Sequence, residues 1–150
     1  MTVSQMEDRM TEVAKEFGDA MERKDLDALL ECFTDDCEIE IFDLKLRGKE
    51  GVRKWYKWTF AHMRALSFEK IVSVSDGDTF IEEYILNGTI HNGKKMQSRQ
   101  ARVLVFEGDK VKSFRLYLDR LQFADSVVSD PVGKMIVGKF INVSVKEMTQ

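Results

Sequence analysis

At 150 residues, 43% apolar, 33% charged and with a single proline, the chain has the length and composition of one soluble globular domain, which excludes disordered, collagen-like and low-complexity classes. Twenty-three basic against 26 acidic side chains give a formal net charge of −3, so no global positive field exists to hold a nucleic-acid backbone. The apolar run from Met135 to Val145 is broken by Lys139 and Asn142 and is too short for a membrane span, so neither nucleic acid nor membrane is expected as a partner.

From Gln5 to Arg23 the residues Met6, Met10, Val13, Phe17, Ala20 and Met21 recur at three- and four-residue steps, which predicts an amphipathic helix. Asp25 caps a second, short helix whose Leu26, Leu29, Leu30 and Phe33 share a face, closed by Thr34-Asp35-Asp36. Cys37 to Phe42 alternates apolar and acidic residues, the pattern of a half-buried strand. Arg47 to Gly51 reads as a turn into a third helix with a wide aromatic face that includes Val52, Trp55, Tyr56, Thr59, Phe60 and His62. Four strands follow: Phe68 to Val74, Thr79 to His91, Lys95 to Glu107 and Lys110 to Gln122, separated by turns at Ser75-Asp76-Gly77-Asp78, Asn92-Gly93 and Gly108-Asp109. Helices at one end and consecutive antiparallel strands at the other predict an α+β layer fold with no parallel crossover unit. Ser126 to Pro131 is a break, after which Val132 to Val145 resumes a helical pattern.

Cys32 and Cys37 lack the spacing of a zinc or redox motif and read as free thiols, and Met1 to Asp8 lacks the basic start and apolar run of a secretory leader. A cytoplasmic location is expected.

The run Glu16 to Asp36, the Leu46-Arg47-Gly48-Lys49-Glu50-Gly51-Val52 entry to the third helix, the Asn92-Gly93-Lys94 turn and the segment Gly108 to Asp119 together resemble the nuclear-transport-factor-2-like superfamily. That superfamily includes ketosteroid isomerase, limonene epoxide hydrolase and the SnoaL-like polyketide cyclases. The resemblance implies a cone-shaped curved sheet with three N-terminal helices over its mouth, spanning residues 1–125, and a C-terminal helical extension, 126–150, packing on the same domain or on a dimer partner. It also implies an internal cavity for a small molecule and no cofactor. Phe17, Ile41 and Arg102 fall where ketosteroid isomerase carries its oxyanion-binding tyrosine, its proton-shuttling aspartate and its second acid, so that machinery is lost. Tyr84 and Leu86 occupy the positions of the arginine and aspartate of the epoxide hydrolase. The closing aspartate of the cyclases survives as Asp119, while Val105 stands where those enzymes carry a histidine.

Strand alternation places side chains in a cavity. An inward Asp119 carries Tyr117, Arg115 and Ser113 with it and sends Phe114, Leu116 and Leu118 outward; Glu82 and Tyr84, and Gln100 and Arg102, face inward from the two long strands. Trp55, Thr59 and His62 form the opposite wall. Asp119, Glu82, Arg102 and Arg115 are expected to pair, because an isolated charge in such a cup costs several kcal/mol. Two functions compete. In one, Asp119 is the proton carrier, with His62 as its acid/base partner and Arg102 as an oxygen clamp, in a cofactor-independent cyclisation or isomerisation of an apolar carbonyl compound. In the other, the ion pairs are structural and the chain is a non-catalytic ligand-binding or dimerisation module. No metal site is expected from two histidines. Apolar residues on the outer sheet face, among them Val103 and Val105, are expected to be covered by a homodimer through the sheet.

Overall fold

The computed structural model describes residues 2–121 and 130–149. The element order is α1 (Val3–Arg23), α2 (Leu26–Glu31), β1 (Phe33–Ile41), β2 (Leu44–Arg47), α3 (Gly48–His62), β3 (Met63–Asp76), β4 (Thr79–Ile90), β5 (Lys95–Glu107), β6 (Lys110–Leu118) and α4 (Pro131–Thr149). The chain divides into two compact units, Met1–Tyr117 and Leu118–Gln150. No helix among the described residues is long and apolar enough to cross a membrane.

Helix α1 starts with a reciprocal cap: Gln5 N–H donates to Thr2 Oγ1 at 3.1 Å and Thr2 N–H to Gln5 Oε1 at 2.9 Å. It ends at Lys24 in the left-handed conformation, and Asp25 then caps α2 by accepting from Ala28 N–H at 3.1 Å. The second helix is shorter than its apolar spacing suggests: Phe33 to Asp36 belong to β1, where pairing slips between Phe33 and Glu38. Leu44–Arg47, a stretch of which the sequence pattern assigns only Arg47, to the turn before the third helix, forms the short strand β2 against β1.

The six strands form one open, curved sheet in the order β2-β1-β6-β5-β4-β3. The consecutive strands pair antiparallel as expected, and one further pairing is parallel: β1 runs alongside β6, with Ile39 opposite Phe114. That pairing joins the first strand among the described residues to the last. The hairpins turn at Gly77-Asp78 and Gly108-Asp109, where both glycines take positive φ. The strand end expected at Gln122, and the break expected from Ser126, fall outside the described residues.

Phe17 occupies the centre of the core. Its ring meets Phe33 and Tyr56 edge-on at 5.9 and 5.7 Å and lies tilted against Phe114 at 5.7 Å, and all four residues are 2% exposed or less. Phe114 therefore faces the helices, a correction to its outward assignment. Along β6 Phe114 is buried and Tyr117 exposed, so extrapolation back from an inward Asp119 assigns the two faces the wrong way round; a separate three-residue step parts the buried Val111 from Phe114. On α3 the buried residues are Gly51, Val52 and Tyr56, not the Trp55–Thr59–His62 arc. Gly51 is fixed by space: a Cβ there would sit 2.9 Å from the Leu46 carbonyl carbon. Gly51→Ala is expected to cost about 1–3 kcal/mol in urea unfolding, with little change in the slope of the transition.

Candidate functional site

Strands β4 and β5 carry the polar interior. Their register sets Glu82 opposite Arg102, Tyr84 opposite Gln100 and Leu86 opposite Ser98, and uninterrupted alternation turns all but the half-buried Leu86 fully inward. Arg102 donates from Nε and Nη2 to the same Glu82 oxygen, Oε2, at 3.0 and 2.7 Å, and Nη2 also reaches the Ala14 carbonyl at 3.4 Å. The two side chains are 5% and 11% exposed. The guanidinium lies between two rings, 4.8 Å from the Phe17 centroid and 5.1 Å from that of Tyr84. Where the family resemblance places a phenol and a carboxylic acid, this chain has a phenyl ring and a guanidinium in contact.

Tyr84 donates to Gln100 Oε1 at 3.0 Å, and Gln100 donates onward to Ser98 Oγ at 3.3 Å. Burial pushes the Tyr84 phenol up to about 12, against the opposing pull of Arg102, so it remains a proton donor at neutral pH.

This floor opens into a cleft of about 240 Å³ between α1 and strands β3–β5. Ala14 and Gly18 form its helix side, Phe68, Phe80 and Tyr84 its aromatic side, and Lys15, Asp19, Glu22 and Lys70 are at its rim. Among the described residues nothing donates to Glu82 Oε1 and nothing accepts from Arg102 Nη1. Neither atom is sealed from solvent without a partner; among described residues only Thr34 Oγ1 is. The floor therefore presents one acceptor and one donor to a molecule in the cleft.

The other expected site residues lie elsewhere. Asp119 belongs to the second unit, where it is exposed and its Oδ1 accepts from Leu121 N–H at 2.9 Å. Tyr117 is 55% exposed, and Arg115 is half-buried with Glu40 opposite it across the parallel pair. His62 is exposed, stacked on Trp58 at 4.4 Å with Nδ1 2.8 Å from the Trp58 carbonyl. Trp55 and Thr59 are half-buried, Trp55 against Trp58 at 5.5 Å and Thr59 donating to the Trp55 carbonyl. His91 is exposed and bonded through Nε2 to the Ala61 carbonyl. Of the expected set, the cleft brings together Glu82, Tyr84 and Arg102, with Gln100 behind them. Sequence reading missed Phe68, Lys70 and the α1 wall.

The sequence profile of the SnoaL-like domain matches residues 14–114, which runs from Ala14 beside the cleft to Phe114 in the core. The chain belongs to the SnoaL-like family. Solved structures of this fold agree. A nuclear-transport-factor-2-like protein of unknown function from Burkholderia pseudomallei superposes with a TM-score of 0.75 at 16% identity, covering 81% of this chain and 98% of the other. A protein provisionally termed a polyketide cyclase from Xanthomonas campestris gives 0.76 at 16% identity, over 82% and 99%. A ketosteroid-isomerase-like protein from Catenulispora acidiphila, solved with trimethylamine, gives 0.71 at 18%, over 77% and 91%. No curated protein matches the sequence. The SnoaL-like match ends before Asp119, and α4 lies beyond it as well.

Cys32 and Cys37 are free and buried. Burial raises the Cys32 thiol to about 11, so it is neutral at pH 8. Alkylation of the native protein by iodoacetamide at that pH is expected to leave Cys32 unmodified while the urea-unfolded chain reacts, as read by peptide mass spectrometry.

Proposed function

We propose that this SnoaL-like protein is a small-molecule-binding module whose site is the cleft between α1 and β3–β5, and whose Glu82–Arg102 pair recognises an oxygen function on an aromatic ligand. The observation that carries the reading is the half-satisfied pair: Glu82 Oε1 and Arg102 Nη1 have no partner among the described residues and both side chains line the cleft. A hydroxyl can donate to the first and accept from the second. The rings of Phe68, Phe80 and Tyr84 supply the apolar contact such sites use. Binding without proton transfer fits the floor better than catalysis. A proton on Glu82 would cancel the charge with which the buried guanidinium is paired, leaving Arg102 uncompensated. Asp119, the other candidate proton carrier, is exposed.

The test is calorimetric titration with 4-hydroxyacetophenone. Saturable binding is expected in the native protein and in Asp119→Asn, with at least a tenfold loss in Glu82→Gln, whose folding is checked by circular dichroism. No binding, or loss in Asp119→Asn alone, contradicts the assignment.

The same reading includes a homodimer through the sheet. The face of β3 and β4 opposite the cleft exposes Ile71, Val72, Val74 and Ile81, each at least 41% accessible, beside half-buried Val103 and Val105 on β5. Sedimentation is expected to give twice the monomer mass, and Ile81→Glu to return it to the monomer. A native protein that sediments as a monomer excludes the dimer.

A further inference from the structure

Strand β3 is inside out. Its exposed outer residues are the apolar Ile71, Val72 and Val74, while a lysine, Lys70, lies on the side that lines the cleft. The cause is a bulge: Lys70 pairs with Tyr84 and Val72 with Glu83, leaving Ile71 without an opposite residue. Before it the inward side chains are Leu66, Phe68 and Lys70; beyond it Ser73 and Ser75 face Glu82 and Phe80. The bulge thus sets an ammonium group directly across from the buried Tyr84, at the rim of the aromatic cleft.

The other charges at that rim are already committed. Lys15 Nζ pairs with Asp19 at 3.1 Å, and Glu22 Oε1 accepts from Phe68 N–H at 3.0 Å. Lys70 has no carboxylate within ion-pair distance among the described residues. The floor pair stands one strand over and two residues along from Lys70, a backbone offset of roughly 7 Å along the strand.

Resting on the assignment of the cleft as the binding site, we infer that its ligand is an aryl carboxylate carrying a hydroxyl at the opposite end of the ring: the carboxylate on Lys70, the ring against Phe68, Phe80 and Tyr84, and the hydroxyl on the Glu82–Arg102 pair. A one-ring para-hydroxy acid is comparable in length to that backbone offset, and the flexible four-carbon stem of Lys70 sets where the ammonium meets the carboxylate. A neutral ligand would leave Lys70 without use.

The experiment compares 4-hydroxybenzoate with 4-hydroxyacetophenone, which keeps the ring and hydroxyl and lacks the charge. In the native protein 4-hydroxybenzoate is expected to bind about three- to tenfold more tightly, an advantage that falls as salt is raised. Lys70→Gln is expected to bring the ratio of the two affinities to about one by weakening 4-hydroxybenzoate far more than 4-hydroxyacetophenone, and Lys70→Arg to retain the advantage. Equal affinities for the two ligands, or an advantage that survives Lys70→Gln, overturns the inference while the cleft assignment stands. Failure of both ligands to bind at millimolar concentration overturns the cleft assignment and the inference with it.

Discussion

Arg102→Met is expected to destabilise the protein by about 3–5 kcal/mol, among the largest effects of any single substitution in the chain, because it leaves the Glu82 carboxylate buried without its counter-charge. The guanidinium is also the layer between the Phe17 and Tyr84 rings, so its removal opens a gap between them. The double variant Glu82→Leu/Arg102→Met removes both charges and is expected to recover most of the loss, since a buried pair contributes little beyond an apolar replacement of similar volume. Urea unfolding of the two singles and the double gives the coupling directly. A single variant that loses less than about 1 kcal/mol would mean that the pair is solvated in solution.

Phe17→Ala is the second. The ring touches Phe33, Tyr56, Phe114 and the face of Arg102, and it joins α1 to α3 and to strands β1, β5 and β6. Truncation is expected to cost about 3–5 kcal/mol, the transfer of the ring plus the cavity left behind. Against a typical total of about 5–15 kcal/mol that is a large fraction, and the melting temperature should fall by roughly 6–20 °C for a domain of this size. Phe17→Leu, which keeps most of the volume, should cost less than half as much. Equal losses for the two variants would place the energy in the ring's aromatic and cation–π contacts and not in filled space.

Much of this molecule was legible in its residues. In β4 and β5 polar side chains such as Glu82, Gln100 and Arg102 alternate with apolar outward neighbours such as Ile81, Val103 and Val105, and no bulge interrupts the ladder between them; period-two reading therefore located three groups of the cleft and the glutamine behind them. It failed where its starting point or the period itself fails. In β6 the count started from an inward Asp119, and with that premise wrong, strict alternation carried Tyr117 into the interior and put the buried Phe114 on the outer face. In β3 the adjacent pair Ile71-Val72 was the available sign of a bulge, and recognising it would have turned Lys70 inward. Helix α3 misled for a different reason. Trp55, Tyr56, Trp58 and Phe60 make the helix aromatic around much of its circumference, and only packing against Phe17 selects the arc that includes Tyr56. Parallel pairing of β1 with β6 is a long-range choice that no local pattern encodes.

We propose that the cleft floored by Glu82 and Arg102 is where this protein holds a small molecule. It is tested most directly by a ¹H–¹⁵N correlation titration with 4-hydroxyacetophenone. The account expects saturable shifts at the amides of Ala14, Gly18, Phe68, Glu82, Tyr84 and Arg102, residues that line the cleft from α1, β3, β4 and β5. Saturable shifts gathered instead around Asp119 and His62, with the cleft amides unmoved, would contradict it.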